Sequence, residues 1–432
     1  MYKVSVVPGM DRDIILVAEQ TSEAMKFSDK VVLRFGQYSK TMEVNRDCTI
    51  DPNTIVIPKS LSEWISIPDL PYEVRVSENA LSLGPVIGFM NNKIFYENPD
   101  LISSRFANYN RILGLIFIFG KEQVDTNRRL ILGKYFNPKT ESFDEGILPY
   151  PTVIYLRTNP GPDLHRHFTK YLGAKCIYNY PFLSNKWVFW RLISINPELR
   201  SYLPETKKYT TVEDALEMLE KYGAVYLNPF NLSRGRGILS LRKRKGEYLL
   251  RDSEGNCWIV NNNRALSGVL REKLRRKYLI QQEIPFQYTG RKVDFRIYLQ
   301  KDKFMHWQCL WAETRLAEVG SIITNVRNRF EVMPAIKGLR LIFQLDNHQA
   351  KAKIAEIASV CVKILELLEG NGHSLGDVAF DFILDESLQL WLLEVQPSYF
   401  SDVFTREYLT PIIHPNSFDY AKALAGFNGS FC

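Results

Sequence analysis

Two acidic residues near the end of the sequence interrupt apolar runs on either side of a polar turn. Asp381 lies in Val378–Leu384, Glu394 lies in Leu388–Val395, and Asp385-Glu386-Ser387 separates the runs. The pattern predicts a β-hairpin whose pairing brings the two carboxylates together. Such carboxylates repel each other unless a cation lies between them, and Mg²⁺ with phosphate oxygens as further ligands meets that need. The alternative is one solvated acid and one acid paired with a core arginine.

A glycine-containing loop is predicted to connect two strands, Ala224–Leu227 and Ile238–Leu241. Because no helix follows the glycines, the loop is neither a Walker P-loop nor a Rossmann fingerprint. It can still cover phosphates through backbone N–H groups and positive charge. A plain hairpin turn is the alternative. The loop residues that would face phosphates are Ser233, Arg234, Gly235, Arg236 and Gly237.

Two alternating strands bring further charge. Asp294 and Arg296 share one face of the strand Lys292–Gln300, and Arg315 ends the strand that follows. A structural ion pair between Asp294 and Arg296 is one interpretation, and an arginine directed at a triphosphate or an acyl-phosphate is the other. Asn325, behind an apolar run, is either a turn residue or a ligand contact.

A short linker follows the predicted strand Tyr278–Gln282 and precedes Pro285. Its backbone could hydrogen-bond a purine while the Glu283 carboxylate accepts ribose hydroxyls. The residues in question are Gln282, Glu283 and Ile284.

The elements that must position these residues divide the chain into three predicted parts. Residues 1–90 are rich in short strands, 91–180 alternate helices and apolar strands, and 181–432 contain the residues described above. We therefore expect a multidomain fold of the α+β and α/β classes. The clearest elements are a capped helix Val212–Tyr222 ended by Gly223, a long amphipathic helix Lys351–Glu369, and a buried strand Leu81–Met90 with a glycine bend.

Composition excludes several classes of function. The chain has 432 residues, a net charge of +7 and no apolar run of about 18–20 residues that would span a membrane. Its six cysteines are scattered, which fits neither a disulfide framework nor a zinc site. Basic runs such as Arg242–Lys245 are typical of solvated faces, and no recognition module accompanies them, so we expect no nucleic-acid partner. A soluble intracellular protein is the expectation.

The order of the motifs is more specific than any one of them. From about residue 150 to the C-terminus, the chain resembles the ATP-grasp domain of the YheC/YheD group, the spore-coat-associated proteins of endospore-forming bacteria. Leu81–Met90 resembles the N-terminal region of that group. The matching motifs are Tyr155-x-Arg157, Lys186-Trp187, Leu203-Pro-Glu-Thr206, Ser233-x-Gly-x-Gly-Ile238, Asp294-Phe-Arg296, Ser321-Ile-Ile-Thr-Asn325 and Trp391-Leu-Leu-Glu-Val395.

The resemblance implies two α+β subdomains that hold ATP with Mg²⁺ or Mn²⁺, after a small pre-ATP-grasp α/β layer and the N-terminal β-rich domain. It further implies a ligase that activates a carboxylate as an acyl-phosphate for an amine or a thiol. Other spore-coat proteins become possible partners, and the mother-cell cytoplasm or the spore coat becomes the location. The implied nucleotide contacts are Lys186, Asn228, Ser233–Gly237 and Gln282–Ile284, the metal ligands are Asp381, Glu394 and Gln396, and the catalytic residues are Arg296, Arg315 and Asn325.

Three positions depart from the family pattern. Asn228 replaces the lysine of a Lys-Pro pair, Leu232 replaces a loop glycine, and Gln396 replaces the asparagine of Glu-x-Asn at the metal. Losing one positioned donor costs about 2.7–4 kcal/mol of transition-state stabilisation. Two hypotheses follow: an active ligase, or a protein that keeps the fold in a structural or interaction role without catalysis.

Overall fold

The computed structural model describes residues 2–77, 79–181, 185–232, 235–399, 412–414 and 416–427. These residues form four sheets that follow one another along the chain. No helix in the described ranges is both long and apolar enough to cross a membrane.

The first sheet is mixed and contains seven strands in the order β1-β5-β2-β4-β3-β7-β6. A short helix, α1 (Glu19–Ala24), follows the second strand. The strands are β1 (Lys3–Val7), β2 (Ile14–Val17), β3 (Lys30–Phe35), β4 (Tyr38–Arg46), β5 (Thr54–Pro58), β6 (Glu73–Ser77) and β7 (Ala80–Gly84).

The second sheet has a parallel centre whose strands are buried on both faces. It comprises β8 (Val86–Met90), β9 (Leu115–Phe119), β10 (Val124–Asp125), β11 (Leu130–Asn137), β12 (Ser142–Pro149), β13 (Val153–Leu156) and β14 (Ile177–Tyr178). Every residue of β8, β9 and β13 is buried, as parallel strands covered on both sides require. The helices are α2 (Lys93–Glu97), α3 (Tyr109–Ile112) and α4 (Pro162–Leu172).

The single strand predicted over Leu81–Met90 is wrong. The chain leaves β7 at Gly84 and enters β8 at Val86, and these two strands belong to different sheets. Apolar periodicity reports burial but not the sheet that a strand joins, because the pairing partners are distant in sequence. One apolar core includes buried residues of both sheets. The division at residues 90 and 180 stays a prediction.

The third sheet is antiparallel and contains the predicted glycine loop between its strands β16 and β17. Its order is β15-β20-β16-β17-β18-β19. The strands are β15 (Thr206–Lys208), β16 (Ala224–Pro229), β17 (Leu239–Arg244), β18 (Glu247–Asp252), β19 (Cys257–Val260) and β20 (Tyr278–Gln282), and the helices of this region are α5 (Lys186–Ser194), α6 (Pro197–Arg200), α7 (Val212–Tyr222) and α8 (Asn263–Lys273).

The fourth sheet, also antiparallel, has the order β24-β23-β22-β25-β26 with β21 paired to β22. One of its faces packs against helices through an apolar core. Its elements are β21 (Gln287–Tyr288), β22 (Arg291–Lys301), β23 (Trp307–Ala317), β24 (Arg329–Pro334), α9 (Ala335–Phe343), α10 (Asn347–Gly370), β25 (Asp377–Leu384) and β26 (Leu390–Gln396), and a last helix, α11 (Asp419–Leu424), follows.

Local sequence signals located several elements correctly. Helix α7 begins with the predicted capping box between Thr211 and Asp214 and ends at Gly223, whose φ of 73° lies in the left-handed region. The long helix α10 and the hairpin β25–β26 are also confirmed. In each case the deciding residues are neighbours in sequence.

Candidate functional site

One face of the fourth sheet carries a row of charged residues across four strands. Arg296 on β22 lies opposite Glu313 on β23 and opposite Asp381 on β25, and Asp381 lies opposite Glu394 on β26. Residues directly opposite each other on neighbouring strands point to the same face. We call these four residues the charged row. The predicted pairing of Asp381 with Glu394 is confirmed.

Asp381 is buried and held by two arginines. Arg296 donates from Nε to Oδ1 at 2.6 Å and from Nη2 to Oδ2 at 2.7 Å, and Arg315 Nη2 lies 3.0 Å from Oδ1. Burial by itself raises the pKa of Asp381, but the charges of Arg296 and Arg315 outweigh it and hold the pKa well below its usual value. The carboxylate is therefore ionised.

The second arginine also holds Asp294. Arg315 Nε donates to Asp294 Oδ1 at 2.6 Å, and the hydroxyl of Thr324 donates to Asp294 Oδ2. Asp294 therefore pairs with Arg315 on β23, whereas Arg296 pairs with Asp381 on β25. These contacts fix Arg315 between two carboxylates on the face of the charged row.

Glu394 receives contacts from outside its own hairpin. Lys186, the first residue of α5, places Nζ 3.6 Å from Glu394 Oε2. The start of α5 is fixed by Asn185, whose side chain accepts from the backbone N–H groups of the first turn. Gln396 Nε2 donates to Glu394 Oε1 at 2.5 Å and to Asp381 Oδ2 at 3.1 Å.

The donor set of these residues fits a hard divalent cation. Two carboxylates and one amide oxygen are ligands that Mg²⁺ or Mn²⁺ accepts. The Gln396 amide bridges Asp381 and Glu394, and half a turn of that amide would present Oε1 in place of Nε2. No group of three or more His, Cys, Asp or Glu able to hold a metal occurs in the described ranges.

The glycine loop lies against the segment that follows β23. A Cβ atom at Gly235 would lie 2.3 Å from Ile323 Cδ1 and 2.8 Å from Asn325 Nδ2, so a larger residue there would have to push the ends of both side chains aside. Both Gly235 and Gly237 have a φ of 72°, which glycine adopts without strain. Arg236 is exposed. The predicted Ser233 and Arg234 lie outside the described residues.

Asn228 belongs to a neutral hydrogen-bonded set on the third sheet. Its Nδ2 donates to Gln281 Oε1 at 3.3 Å, and Gln281 Nε2 donates to Thr206 Oγ1 at 3.2 Å. Asn228 is 7% exposed. The set supplies no positive charge at the position where the family pattern has lysine.

The linker residues have partners within the protein. Glu283 is buried, and its carboxylate accepts from Arg242 at 2.5 and 3.1 Å and from Lys292. Gln282 exchanges hydrogen bonds with the backbone of Glu205, and Ile284 is buried. A ribose hydroxyl would have to compete with these ion-pair contacts for the buried Glu283 carboxylate.

Sequence reasoning missed Glu313 and Asp377. Glu313 is 1% exposed in the charged row, and its alternation with Arg315 on β23 was the available signal. Asp377 accepts from the hydroxyls of Tyr155 and Tyr399 and lies 3.6 Å from Arg157. No local pattern marks that network, because its members come from distant segments.

The structure brings together only part of the predicted site residues. Around the charged row it assembles Arg296, Arg315, Asp381, Glu394, Gln396 and Lys186. Asn325 lies against Gly235 of the glycine loop, next to Thr324, which donates to Asp294. Tyr226 on β16 donates to Ile322 O at 2.7 Å, so the third sheet contacts this segment. Their predicted roles toward nucleotide and metal stay predictions.

Comparison with known proteins decides the family. The sequence pattern described as "YheC/D like ATP-grasp" matches residues 175–424. The chain belongs to the YheC/D-like ATP-grasp family. Its ATP-grasp fold and its mixed α and β composition, as predicted, are thereby confirmed.

Two relatives of this ATP-grasp chain come from Bacillus subtilis (strain 168). The endospore coat-associated protein YheD is 21% identical over 92% of this chain and 90% of that protein. The endospore coat-associated protein YheC is 19% identical over 72% of this chain and 87% of that protein.

Two solved structures are similar to this chain at lower identity. D-alanyl-alanine synthetase A from Vibrio cholerae O1 biovar eltor has a TM-score of 0.47 and 11% identity over 79% of this chain and 98% of that chain. The ATP-grasp ligase PsnB with its minimal precursor has a TM-score of 0.45 and 13% identity over 79% and 99% of the two chains.

Proposed function

We propose that this ATP-grasp chain binds ATP together with Mg²⁺ or Mn²⁺ and joins a carboxylate to an amine or a thiol. The observation that carries the proposal is the charged row, in which Asp381 and Glu394 lie side by side next to Arg296 and the buried Arg315. Adjacent carboxylates with nearby guanidinium groups can neutralise both a divalent cation and the charge of a transferring phosphoryl group.

Asp381, Glu394 and, through its oxygen, Gln396 would hold the metal ion, which neutralises phosphate charge when bound. Arg296 and Arg315 would stabilise the transferred phosphoryl group. In the reaction, a substrate carboxylate oxygen attacks the γ-phosphorus of ATP and ADP leaves. The amine or thiol then attacks the acyl carbon, phosphate leaves, and the nucleophile loses its proton.

The nucleotide is proposed to lie between the glycine loop and the charged row. Gly235 and Gly237 bring backbone N–H groups close without Cβ atoms, and the exposed Arg236 adds positive charge. Lys186 reaches Glu394 from α5 and can shift to a phosphate oxygen. The linker Gln282–Ile284 would hold the adenosine, provided that Glu283 exchanges an ion-pair contact.

The names of the two relatives support a proposal about the cellular location of this chain. Because both are endospore coat-associated proteins, we place this chain in the mother-cell cytoplasm or the spore coat, with other coat proteins as candidate partners.

A structure solved with an ATP analogue and Mn²⁺ tests the proposed site. The anomalous signal of Mn²⁺ is expected between Asp381 and Glu394, with the triphosphate under the glycine loop. Manganese bound elsewhere would contradict the proposal.

A second candidate function is a structural or interaction role without catalysis. It is favoured by Asn228, whose neutral hydrogen-bonded set replaces a lysine on the phosphates. ADP release in the presence of a panel of carboxylates and amines distinguishes the two candidates. Release that disappears in Asp381→Asn excludes the second candidate, whereas nucleotide binding without release under any condition favours it.

A further inference from the structure

Asp381 has no lone pair left for a metal ion in the arrangement described. A carboxylate offers about four lone-pair positions. Asp381 uses them for two contacts from Arg296, one from Arg315 and one from Gln396. Rotation of the Gln396 amide frees one position on Oδ2, so a divalent cation that binds both carboxylate oxygens must also displace an arginine contact from Oδ1.

Repulsion by the bound cation would displace Arg296 from Asp381 before it displaces Arg315. It makes two of the four contacts, and a divalent cation at Asp381 and Glu394 would repel its guanidinium. Arg315 is retained by a second carboxylate, because its Nε also donates to Asp294. A displaced buried guanidinium needs another acceptor, since an unpaired buried charge is strongly unfavourable.

Glu313 is an acceptor on the other side of Arg296. It lies directly opposite Arg296 on β23, as Asp381 does on β25. Directly opposed residues have Cβ atoms about 4.5–5.5 Å apart, so Arg296 can reach either neighbour. Glu313 is 1% exposed, and among the described residues its Oε2 has no hydrogen-bond partner. The carboxyl thus has an oxygen available for a guanidinium.

The surroundings of Glu313 agree with this role. Burial raises its pKa, and the charges of Arg315, Arg296 and Arg329 oppose that rise without cancelling it. In the metal-free protein Arg296 therefore pairs with Asp381, and Glu313 is its weaker potential partner. The Tyr298 hydroxyl, also buried, faces the same group.

We infer that Arg296 exchanges partners: when a divalent cation binds Asp381 and Glu394, its guanidinium leaves Asp381 and pairs with Glu313. Glu313 is then a positioning residue that keeps the arginine on the charged row, beside the metal rather than on its ligand. The inference rests on the proposed metal site and identifies a residue that the family pattern does not mark.

A double-mutant cycle of metal affinity tests the exchange. Binding of Mn²⁺ in the presence of ATP is followed by the loss of the free-ion electron paramagnetic resonance signal, in wild type, Glu313→Gln, Arg296→Gln and the double variant. We expect Glu313→Gln to weaken Mn²⁺ binding about tenfold or more, because Arg296 then has no second anionic side chain to pair with. In the Arg296→Gln background, where nothing needs to be displaced, the same substitution is expected to change the affinity less than about twofold.

Three outcomes overturn the exchange. Equal losses in both backgrounds would show that Glu313 acts only by its charge on the metal. An unchanged affinity of Glu313→Gln would show a purely structural role. Absence of Mn²⁺ binding by wild type would remove both the exchange and the proposed function, whereas the first two results leave the proposed function intact. Glu313→Asp, which keeps the charge but shortens the reach, carries the same expectation if Glu313→Gln does not fold.

Discussion

At the scale of single residues, Asp381 is both buried and ionised, and this combination defines the site. Two guanidinium groups compensate for the loss of water around its carboxylate. Breaking a buried ion pair by removing one partner costs more than the pair contributes, because a charge is left without compensation. Asp381 therefore serves the stability of the sheet as well as any bound cation.

Asp381→Asn is expected to destabilise the protein by about 3–5 kcal/mol, because Arg296 and Arg315 lose their shared negative charge. Urea unfolding measures the effect. Glu394→Gln is the matched control on the neighbouring strand: its side chain is 29% exposed, and its lysine partner is 3.6 Å away. A loss in the control as large as that in Asp381→Asn would contradict the assignment of the buried pair.

The free energy of unfolding of Glu313→Gln is expected to rise relative to that of wild type as pH rises. Burial raises the folded-state pKa of Glu313 above its usual 4.5, so its contribution to stability is complete below that value and is lost as pH rises through the folded pKa. Glutamine does not titrate. Unfolding free energies at about pH 5 and about pH 8 measure the difference, and a difference independent of pH would contradict a perturbed Glu313.

The residue types of the site and the pairing of Asp381 with Glu394 were predictable, but the other pairings were not. Asp381 and Glu394 were placed together because one hairpin determines their register. The partners of Asp294 and Arg296 depend on which strands lie on either side of β22, and β25 is distant in sequence. Glu313 lies opposite Arg296 across the hairpin β22–β23, where a register shift at Tyr298 and Leu299 hides the pairing from the sequence.

At the scale of elements, the loop between β16 and β17 depends on glycine for two separate reasons. Gly235 combines a left-handed φ of 72° with close approach to Ile323 and Asn325. Gly246, in the turn between β17 and β18, has a φ of 87° and open space around its Cβ position. A comparison of substitutions at Gly235 and Gly246 therefore separates the effect of backbone strain from the effect of packing.

Gly235→Ala is expected to weaken ATP binding about tenfold or more, because the loop must move away from Ile323 and Asn325. Gly246→Ala is expected to cost about 1–2 kcal/mol of stability and to leave ATP affinity unchanged. Competition with a fluorescent ATP analogue and urea unfolding provide the two measurements. Equal ATP affinities for the two variants would show that the loop does not contact nucleotide.

Elements whose signals are local were predictable, and those defined by distant pairing were not. The capping box of α7 and the long helix α10 follow from residues a few positions apart. The apolar run Leu81–Met90 predicted burial correctly but concealed the change of sheet after Gly84.

At the scale of the whole molecule, a buried network joins the second sheet to the fourth. Asp377 on β25 accepts from Tyr155 on β13, and Arg105 and Arg157 each lie 3.6 Å from its carboxylate. Helix α11 also packs against the core of the second sheet. These contacts hold the charged row in a fixed position relative to the preceding layer.

Asp377→Ala is expected to separate the unfolding of the two sheets, because two buried guanidinium groups lose their carboxylate. Tryptophan fluorescence reports mostly on the C-terminal part, since six of the seven tryptophans lie between residues 187 and 391. Circular dichroism reports on the whole chain. In Asp377→Ala the unfolding transitions followed by fluorescence and by circular dichroism are expected to occur at different denaturant concentrations. Tyr155→Phe is the milder control. Coincident transitions in Asp377→Ala would contradict the coupling of the two sheets.

Calorimetric titration with ATP in the presence of Mg²⁺ tests the central claim most directly. Wild type is expected to bind, and Glu394→Ala is expected to bind about tenfold more weakly or worse, because one of the two carboxylates that would hold the metal is gone. Absence of binding by the folded wild-type protein, or equal affinity of Glu394→Ala, would contradict the assignment of Asp381 and Glu394 to a Mg-ATP site.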